Sequence, residues 1–264
     1  MSKADTMTRE APRATGSAAR LLRVLEAVVD ADGPVTVRAL ARSLAMSPST
    51  THRLLNTLRG EGYLRYLEDR QAYGVGPELH RVAARVASQL GPVALARDVA
   101  QEAAEEFDET ILFGLHLPHL AAMSFEVRAD GQKKLMYHIE MHRPASLVWG
   151  ASGRAILAHL SEADFARAYA AEGPSPARGE RLPGRRTLKQ DLETVREQGF
   201  AISHGQKLPD ARGIAAPVFG PDGVVGSLCL TSPRQRLADR DAAKIARRIA
   251  EHAARLSHQL GAPG

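Results

Sequence analysis

The sequence predicts an all-α unit closed by a β-hairpin over residues 17–76, followed by a larger α+β unit over residues 92–264. Three observations predict this pair. Apolar residues recur at helical spacing in three successive short segments, each punctuated by Gly, Pro or a capping hydroxyl. A strand-like pair of runs then follows around the charged tip 68–70. Beyond residue 91 helical and strand-like stretches alternate, with strands meandering and helices expected on one side of them.

The chain has 264 residues, 44% hydrophobic and 25% charged, the composition of a soluble globular protein of one or two domains. No apolar run approaches the ~20 residues that cross a bilayer. Residues 1–16, MSKADTMTREAPRATG, are polar and lack an apolar core, so they read as a disordered lead-in without a secretory signal. The single cysteine, Cys229, excludes an internal disulfide and a Cys-based zinc cluster. A cytoplasmic protein is the expectation. Net charge is +5, and its placement is uneven. Residues 35–66 hold Arg38, Arg42, Arg53, Arg59 and Arg65 against one acid, Glu61. That local field suits a polyanion, although a solvated basic face would look the same.

The first helix opens at Ser17, with Leu21, Leu22, Val24, Leu25, Val28 and Val29 on one face, and Gly33-Pro34 stops it. Thr36 caps a second helix whose stripe is Val37, Leu40, Ala41 and Leu44. Ser47 caps a third, with Pro48 in its first position, where a missing N–H costs nothing. Thr51, Leu54, Leu55 and Leu58 form the inner face. Thr51 is the polar exception, and its hydroxyl is expected to bond the Ser47 carbonyl one turn back. Tyr63–Leu67 and Gln71–Val75 flank the hairpin tip. Helix, helix-turn-helix and hairpin together make a winged helix-turn-helix. Its third helix presents Ser49, His52, Arg53 and Asn56 outward with Thr50 beside them, short donors and a long cation suited to a major groove. Ser47 at the helix start suits a phosphate, and Arg42, Arg65 and Arg70 complete the expected contact set. The same small fold also serves protein interaction, which is the competing reading.

The run SAARLLRVLEAVVDADGPVTVRALARSLAMSPSTTHRLLNTLRGEGYLRYLEDRQAYGVGPEL resembles the DNA-binding half of IclR-type bacterial transcription regulators. Its most specific parts are SPSTTHRLLNTLRGEGYL and Tyr73-Gly74-Val75-Gly76. The resemblance extends over nearly the whole chain from Ser17. Residues 77–91, with Leu79, Val82, Ala83, Val86 and Leu90 in helical register and Gly91-Pro92 closing them, read as a linker helix, which in that family ties the DNA-binding head to the ligand domain. The resemblance also implies that residues 92–264 are a GAF-like effector-binding and oligomerisation domain.

In that second domain the expected strands are Thr110–His116, Leu120–Val127, Lys134–Glu140, Phe200–His204, Gly213–Phe219 and Val224–Thr231. Gly220-Pro221-Asp222-Gly223 is the turn between the last two. Helices are expected over 96–107, 151–160, 161–171, 187–198 and 238–260. Gly150-Ala151-Ser152-Gly153 begins a helix, where small side chains and free N–H groups suit a carboxylate; a tightly packed loop is the alternative. Trp149 precedes it as a cavity wall or a core residue. Ser227, Cys229 and Thr231 share one strand face. The resemblance assigns the effector site to this region, with Ala211, Gly213, Cys229 and Thr231 in it. It places acidic residues just before the first of these runs, where this chain has Ser203-His204-Gly205. His204 is therefore a candidate positive partner for a carboxylate, and Ser203 beside it a further candidate for the effector site. The pairs His116/His119 and His138/His142 lack convergent partners for a metal, and Cys229 lacks the base a nucleophile needs. No catalytic residue, metal or cofactor is expected. The expected partners are double-stranded operator DNA, a small carboxylate effector and a second copy of the chain, as a homodimer or dimer of dimers. An enzyme domain with an accessory DNA-binding head, and an interaction scaffold, are the competing classes.

Overall fold

The computed structural model describes residues 16–87, 91–132, 137–237 and 239–263. The chain divides into two compact units, with the division between residues 88 and 89.

The first unit contains α1 (Ser17–Val29), α2 (Val37–Ser43), α3 (Pro48–Gly60), β1 (Leu64–Leu67), β2 (Ala72–Val75) and α4 (Pro77–Ala87). Val24, Val28, Leu40, Leu54, Leu55, Leu58, Leu64 and Tyr73 form its core. Each fully buried aliphatic side chain contributes about 1.5–3 kcal/mol. Both capping expectations hold: Thr36 accepts from the Ala39 amide and Ser47 from the Thr50 amide. Between α2 and α3 the chain reverses through Ala45 at φ 50°, a left-handed conformation that a non-glycine residue pays to adopt. Thr51 is fully buried, and its hydroxyl donates to the Ser47 carbonyl at 3.1 Å. The wing pairs β1 with β2 from Leu64↔Val75 to Leu67↔Ala72. Val35 adds a two-bond bridge to Tyr73.

The apolar stripe of α1 is narrower than its spacing suggests. Val24 and Val28 are buried, whereas Leu22 and Val29 are 58% and 49% exposed. Those two lie two turns apart and are left out of the core. In α4, Val86 is likewise 63% exposed, and Leu90 of the linker reading lies outside the described residues.

The second unit contains α5 (Pro92–Phe107), β3 (Thr110–Leu117), β4 (Ala122–Ala129), β5 (Pro144–Ala145), α6 (Ala151–Leu157), α7 (Glu162–Ala170) and α8 (Arg185–Gln198). It continues with β6 (Ala201–His204), β7 (Ala211–Gly220), β8 (Gly223–Pro233) and α9 (Asp239–Gln259). The strands form one antiparallel sheet in the order β5-β4-β3-β8-β7-β6. β7 and β8 are joined by the expected tight turn, with Gly220 opposite Gly223.

Helices cover both faces of this sheet, not one. Ile111, Phe113, Ile214, Ala216, Leu228 and Leu230 pack with α5 and α9. Leu112, Met123, Phe125, Ala215 and Cys229 pack with α6, α7 and α8. The near-continuous burial of β7 and β8 is the cause: with both faces apolar, each needs a cover. The expected strand over 134–140 is not formed where it is described. Residues 137–140 take no strand pairing, and residues 133–136 lie outside the described residues. The sheet edge is instead the two-residue β5. The second strand starts later than expected, because residues 118–120 form a 3₁₀ turn.

Candidate functional site

The outer face of α3 carries two linked groups of polar side chains. At its start the Ser47 hydroxyl donates to Thr50 Oγ1 at 2.8 Å and lies 3.2 Å from Ser49 Oγ. Part of the Ser47 side chain is thus committed to its own helix. One turn on, His52 and Arg53 are exposed, and the Asn56 amide nitrogen lies 3.4 Å from His52 Nδ1. Asn56 is doubly employed, because its side-chain oxygen accepts from the buried Tyr73 hydroxyl of the wing at 3.0 Å. This bond fixes the wing against the helix, a positioning role that spacing alone does not reveal. Arg42 and Arg65 are exposed. Arg70, 65% exposed at the wing tip, lies 3.5 Å from Asp69. Arg59 stacks over the Tyr66 ring at 5.5 Å. The surface is cationic and rich in short donors, and an apolar floor of leucines holds it rigid.

The second unit carries a cavity of about 590 Å³, partly open to solvent, between the sheet and the start of α6. Trp149, Gly150, Ala151 and Ser152 supply one wall, Ser203, Ala211 and Gly213 another, and Cys229 and Thr231 the floor. Three features allow this close assembly. Gly150 sits at φ +88°, which favours glycine. At Gly213 a Cβ would lie 2.8 Å from Ser203 Oγ and 3.4 Å from Ala151 Cβ, so glycine lets β6, β7 and α6 converge. Ser146 accepts from the Val148 and Trp149 amides and donates to Glu172, which ties down the turn before α6.

Trp149 meets both of its expected descriptions. It lines the cavity, is 2% exposed, and its indole N–H donates to the Gly173 carbonyl at 2.9 Å. Two expected residues lie elsewhere. Gly153 is a packing glycine, since a Cβ there would come within 2.5 Å of the Ser146 carbonyl oxygen. His204 alternates away from Ser203 to the exposed side of β6, where its amide donates to Gln206 Oε1 at 2.9 Å. Ser227 shares the Cys229 face but lies beyond the cavity.

Cys229 is 3% exposed, with its sulfur 3.9 Å from Thr231 Oγ1. Burial pushes its thiol pKa up, and the Ser152 and Thr231 hydroxyls only partly offset this. It is a protonated, small lining group, the opposite of an activated nucleophile.

The residue that motif reading missed is Lys207, in the loop between β6 and β7. It lines the cavity, and its ammonium lies 5.0 Å from the Phe125 ring centroid. Burial lowers its pKa below the usual lysine value. A faint signal existed. The chain holds six lysines against 29 arginines, so a lone lysine between two glycine- and proline-marked turns departs from its habit. Phe125 and Leu112 complete the apolar side, and their strand positions gave no hint of which face would be hollow. Among the described residues no three His, Cys, Asp or Glu side chains come together to hold a metal. No described helix is long and apolar enough to cross a membrane.

A winged helix with a basic, donor-rich recognition face, carried on the same chain as a hollow GAF-like domain, defines a DNA-binding transcription regulator with an effector-binding domain. Residues 17–68 match the IclR helix-turn-helix domain, and residues 85–258 match the bacterial transcriptional regulator IclR C-terminal domain. The chain belongs to the IclR family of transcription regulators, which are not enzymes. It is 27% identical to the HTH-type transcriptional regulator BhcR of Paracoccus denitrificans, over 90% of this chain and 85% of that protein. To the transcriptional repressor IclR of Escherichia coli it is 24% identical, over 84% and 82%. A putative IclR regulator from Silicibacter superposes with a TM-score of 0.83 at 22% identity, covering 94% of this chain and 97% of that one. An IclR homologue from Microbacterium hydrocarbonoxydans, complexed with 4-hydroxybenzoate, gives 0.77 at 21% identity, covering 92% and 100%.

Proposed function

We propose that the cavity takes a small organic acid, aliphatic or aromatic, and that its occupancy changes operator binding by the winged helix. The observation that carries this reading is the cavity itself. It is large enough for a ring-sized ligand, with an apolar side of Trp149, Phe125 and Leu112 facing a floor of small hydroxyl and thiol groups. Gly150, Ala151 and Ser152, at the start of α6, line the same space. The 4-hydroxybenzoate complex of the Microbacterium homologue is consistent with an aromatic acid in such a space.

On the DNA side, Arg53 and His52 are read as the base-facing pair, and Ser47, Ser49, Thr50, Arg42, Arg65 and Arg70 as backbone contacts. Asn56 contributes mainly by holding the wing. A single module of this size covers little of a specific site, so two copies on a palindrome are expected. The exposed Leu22, Val29 and Val86 are apolar surface that a second copy can cover.

The test is a band shift against the DNA upstream of the protein's own gene, with and without a panel of carboxylates, alongside thermal melting. A bound acid at 100 times its Kd adds about 2.7 kcal/mol of stability. A carboxylate that raises the melting temperature and alters the band shift supports the reading. If no acid does either, the cavity is not an effector site.

A further inference from the structure

The effector cavity holds a lysine with no ion partner. Among the described residues no carboxylate lies within 4.0 Å of the Lys207 ammonium; beside the Cys229 thiol, Glu172 and Glu140 act on it only at longer range. Glu172 is already spent, accepting from the Ser146 hydroxyl and the Gly173 amide. The stem of Lys207 is held in place: a Cβ at Gly150 would lie 3.5 Å from its Cδ and 3.6 Å from its Cβ. The ammonium end sits by the Phe125 ring, whose face is a weak substitute for water or a carboxylate.

Lys207 is half-buried, and a charge drawn partly out of water without a counter-ion is costly, so proteins normally pair or neutralise it. Nothing in the packing of the second unit requires a cation here, since the surrounding wall is apolar or hydroxylic. The other charged groups lining the cavity are Glu140, Glu172 and Arg143, with His138 and the protonated Cys229 thiol beside them. Counted with Lys207, these formal charges balance. One added carboxylate therefore leaves a single negative charge in the cavity and two leave a double one, a larger cost in a low-dielectric space.

We infer that Lys207 is the counter-ion of the effector, so that the cavity selects monocarboxylates over their neutral amides and over dicarboxylates. The inference rests on the reading of this cavity as the effector site. It makes Lys207 a specificity-determining residue in the place where His204 was expected to act.

The test uses the full chain and a panel of acids, each with its amide: 4-hydroxybenzoate, benzoate and butyrate, with terephthalate and succinate as dicarboxylates. Thermal melting and calorimetric titration are run on the wild-type protein and on Lys207→Met, which keeps the stem length and removes the charge. At least one monocarboxylate is expected to bind the wild type, and its amide to bind tenfold or more weakly. Lys207→Met is expected to lose at least tenfold in affinity for that acid while its affinity for the amide stays the same. Without any ligand, Lys207→Met is expected to melt at a higher temperature than the wild type, because it no longer holds a half-buried, unpaired ammonium.

A monocarboxylate that binds Lys207→Met as tightly as the wild type overturns the inference and leaves the effector reading standing. So does an amide, or a dicarboxylate, that binds the wild type as tightly as the acid. A ligand-free Lys207→Met that melts below the wild type makes the lysine structural and also overturns it. If no acid binds the wild type, the effector reading fails and takes the inference with it.

Discussion

Ser152 is 5% exposed in the first turn of α6 and borders the cavity next to Cys229. Ser152→Val adds a branched methyl where a ligand would approach, and overpacking of this kind costs about 1–3 kcal/mol locally. It is expected to abolish the acid-induced melting shift while band shifts without ligand persist. Thr231→Val keeps the shape and removes one hydroxyl, about 1 kcal/mol of hydrogen bonding, so it is expected to weaken the shift and not abolish it. A full response in Ser152→Val would place the ligand elsewhere. Lys207 adds a pH signature. Its folded pKa lies below the ordinary lysine value because of burial, so the folded state sheds its proton first. Below the folded pKa the penalty for charging is fully present. As pH rises from there toward the unfolded value, the unfolded chain holds more protons and stability rises. Wild-type stability measured by urea titration is expected to gain on Lys207→Met across that alkaline window, and parallel curves for the two proteins would count against it.

At the scale of the element, α3 and its wing act as one piece. The leucine face buries Leu54, Leu55 and Leu58, while the Tyr73–Asn56 bond ties the hairpin to the outer edge. Arg53 projects from the face left over. Arg53→Ala is expected to cost about 1–3 kcal/mol of specific binding if the guanidinium reads a base. If it meets phosphate, binding weakens evenly across sequences and the salt slope falls by about one unit. Unchanged affinity for all DNA, measured by fluorescence anisotropy across a salt series, would remove α3 from the interface. This helix was legible in the sequence because its signals are local: a serine cap, a proline at the first position and a leucine stripe. Even its blemish was readable, since the Thr51 hydroxyl needs only the carbonyl one turn back. The strand expected over 134–140 is absent from its described part, 137–140, for the converse reason. Strand pairing is settled by distant partners, and the edge of the sheet was taken by Pro144–Ala145 instead. Lys207 was hidden in the same way, since a loop's sequence does not say which cavity its side chain enters.

At the scale of the molecule, the two units have separate cores. The first is built on α1, α3 and the wing, and the second on a sheet covered by helices on both faces. Cooperative unfolding belongs to a core, so two calorimetric transitions are expected. An acid that binds the cavity is expected to raise the transition of the second unit directly. A single transition that moves as a whole would mean that the units unfold together. Helices on one face only was the wrong expectation for the second unit, because the number of apolar strand residues exceeds what one face can hold. Residues 211–218 are all buried, and a run of small and large apolar residues such as Gly213-Ile214-Ala215-Ala216 does not announce a two-sided sheet. Alanine reads as neutral in a pattern search, yet here it is core.

The lone thiol of Cys229 gives the protein a built-in reporter. It is the chain's single cysteine, it lines the cavity, and its raised pKa keeps it slow toward alkylating agents. A small reagent such as iodoacetamide can label only this position. Its rate of incorporation, followed by intact mass, therefore measures how often the cavity admits a solvent-borne molecule. A seated acid should shield the sulfur and slow labelling, while denaturant should release it fully. Occupancy of the second unit can thus be titrated without DNA, a tag or a mutation.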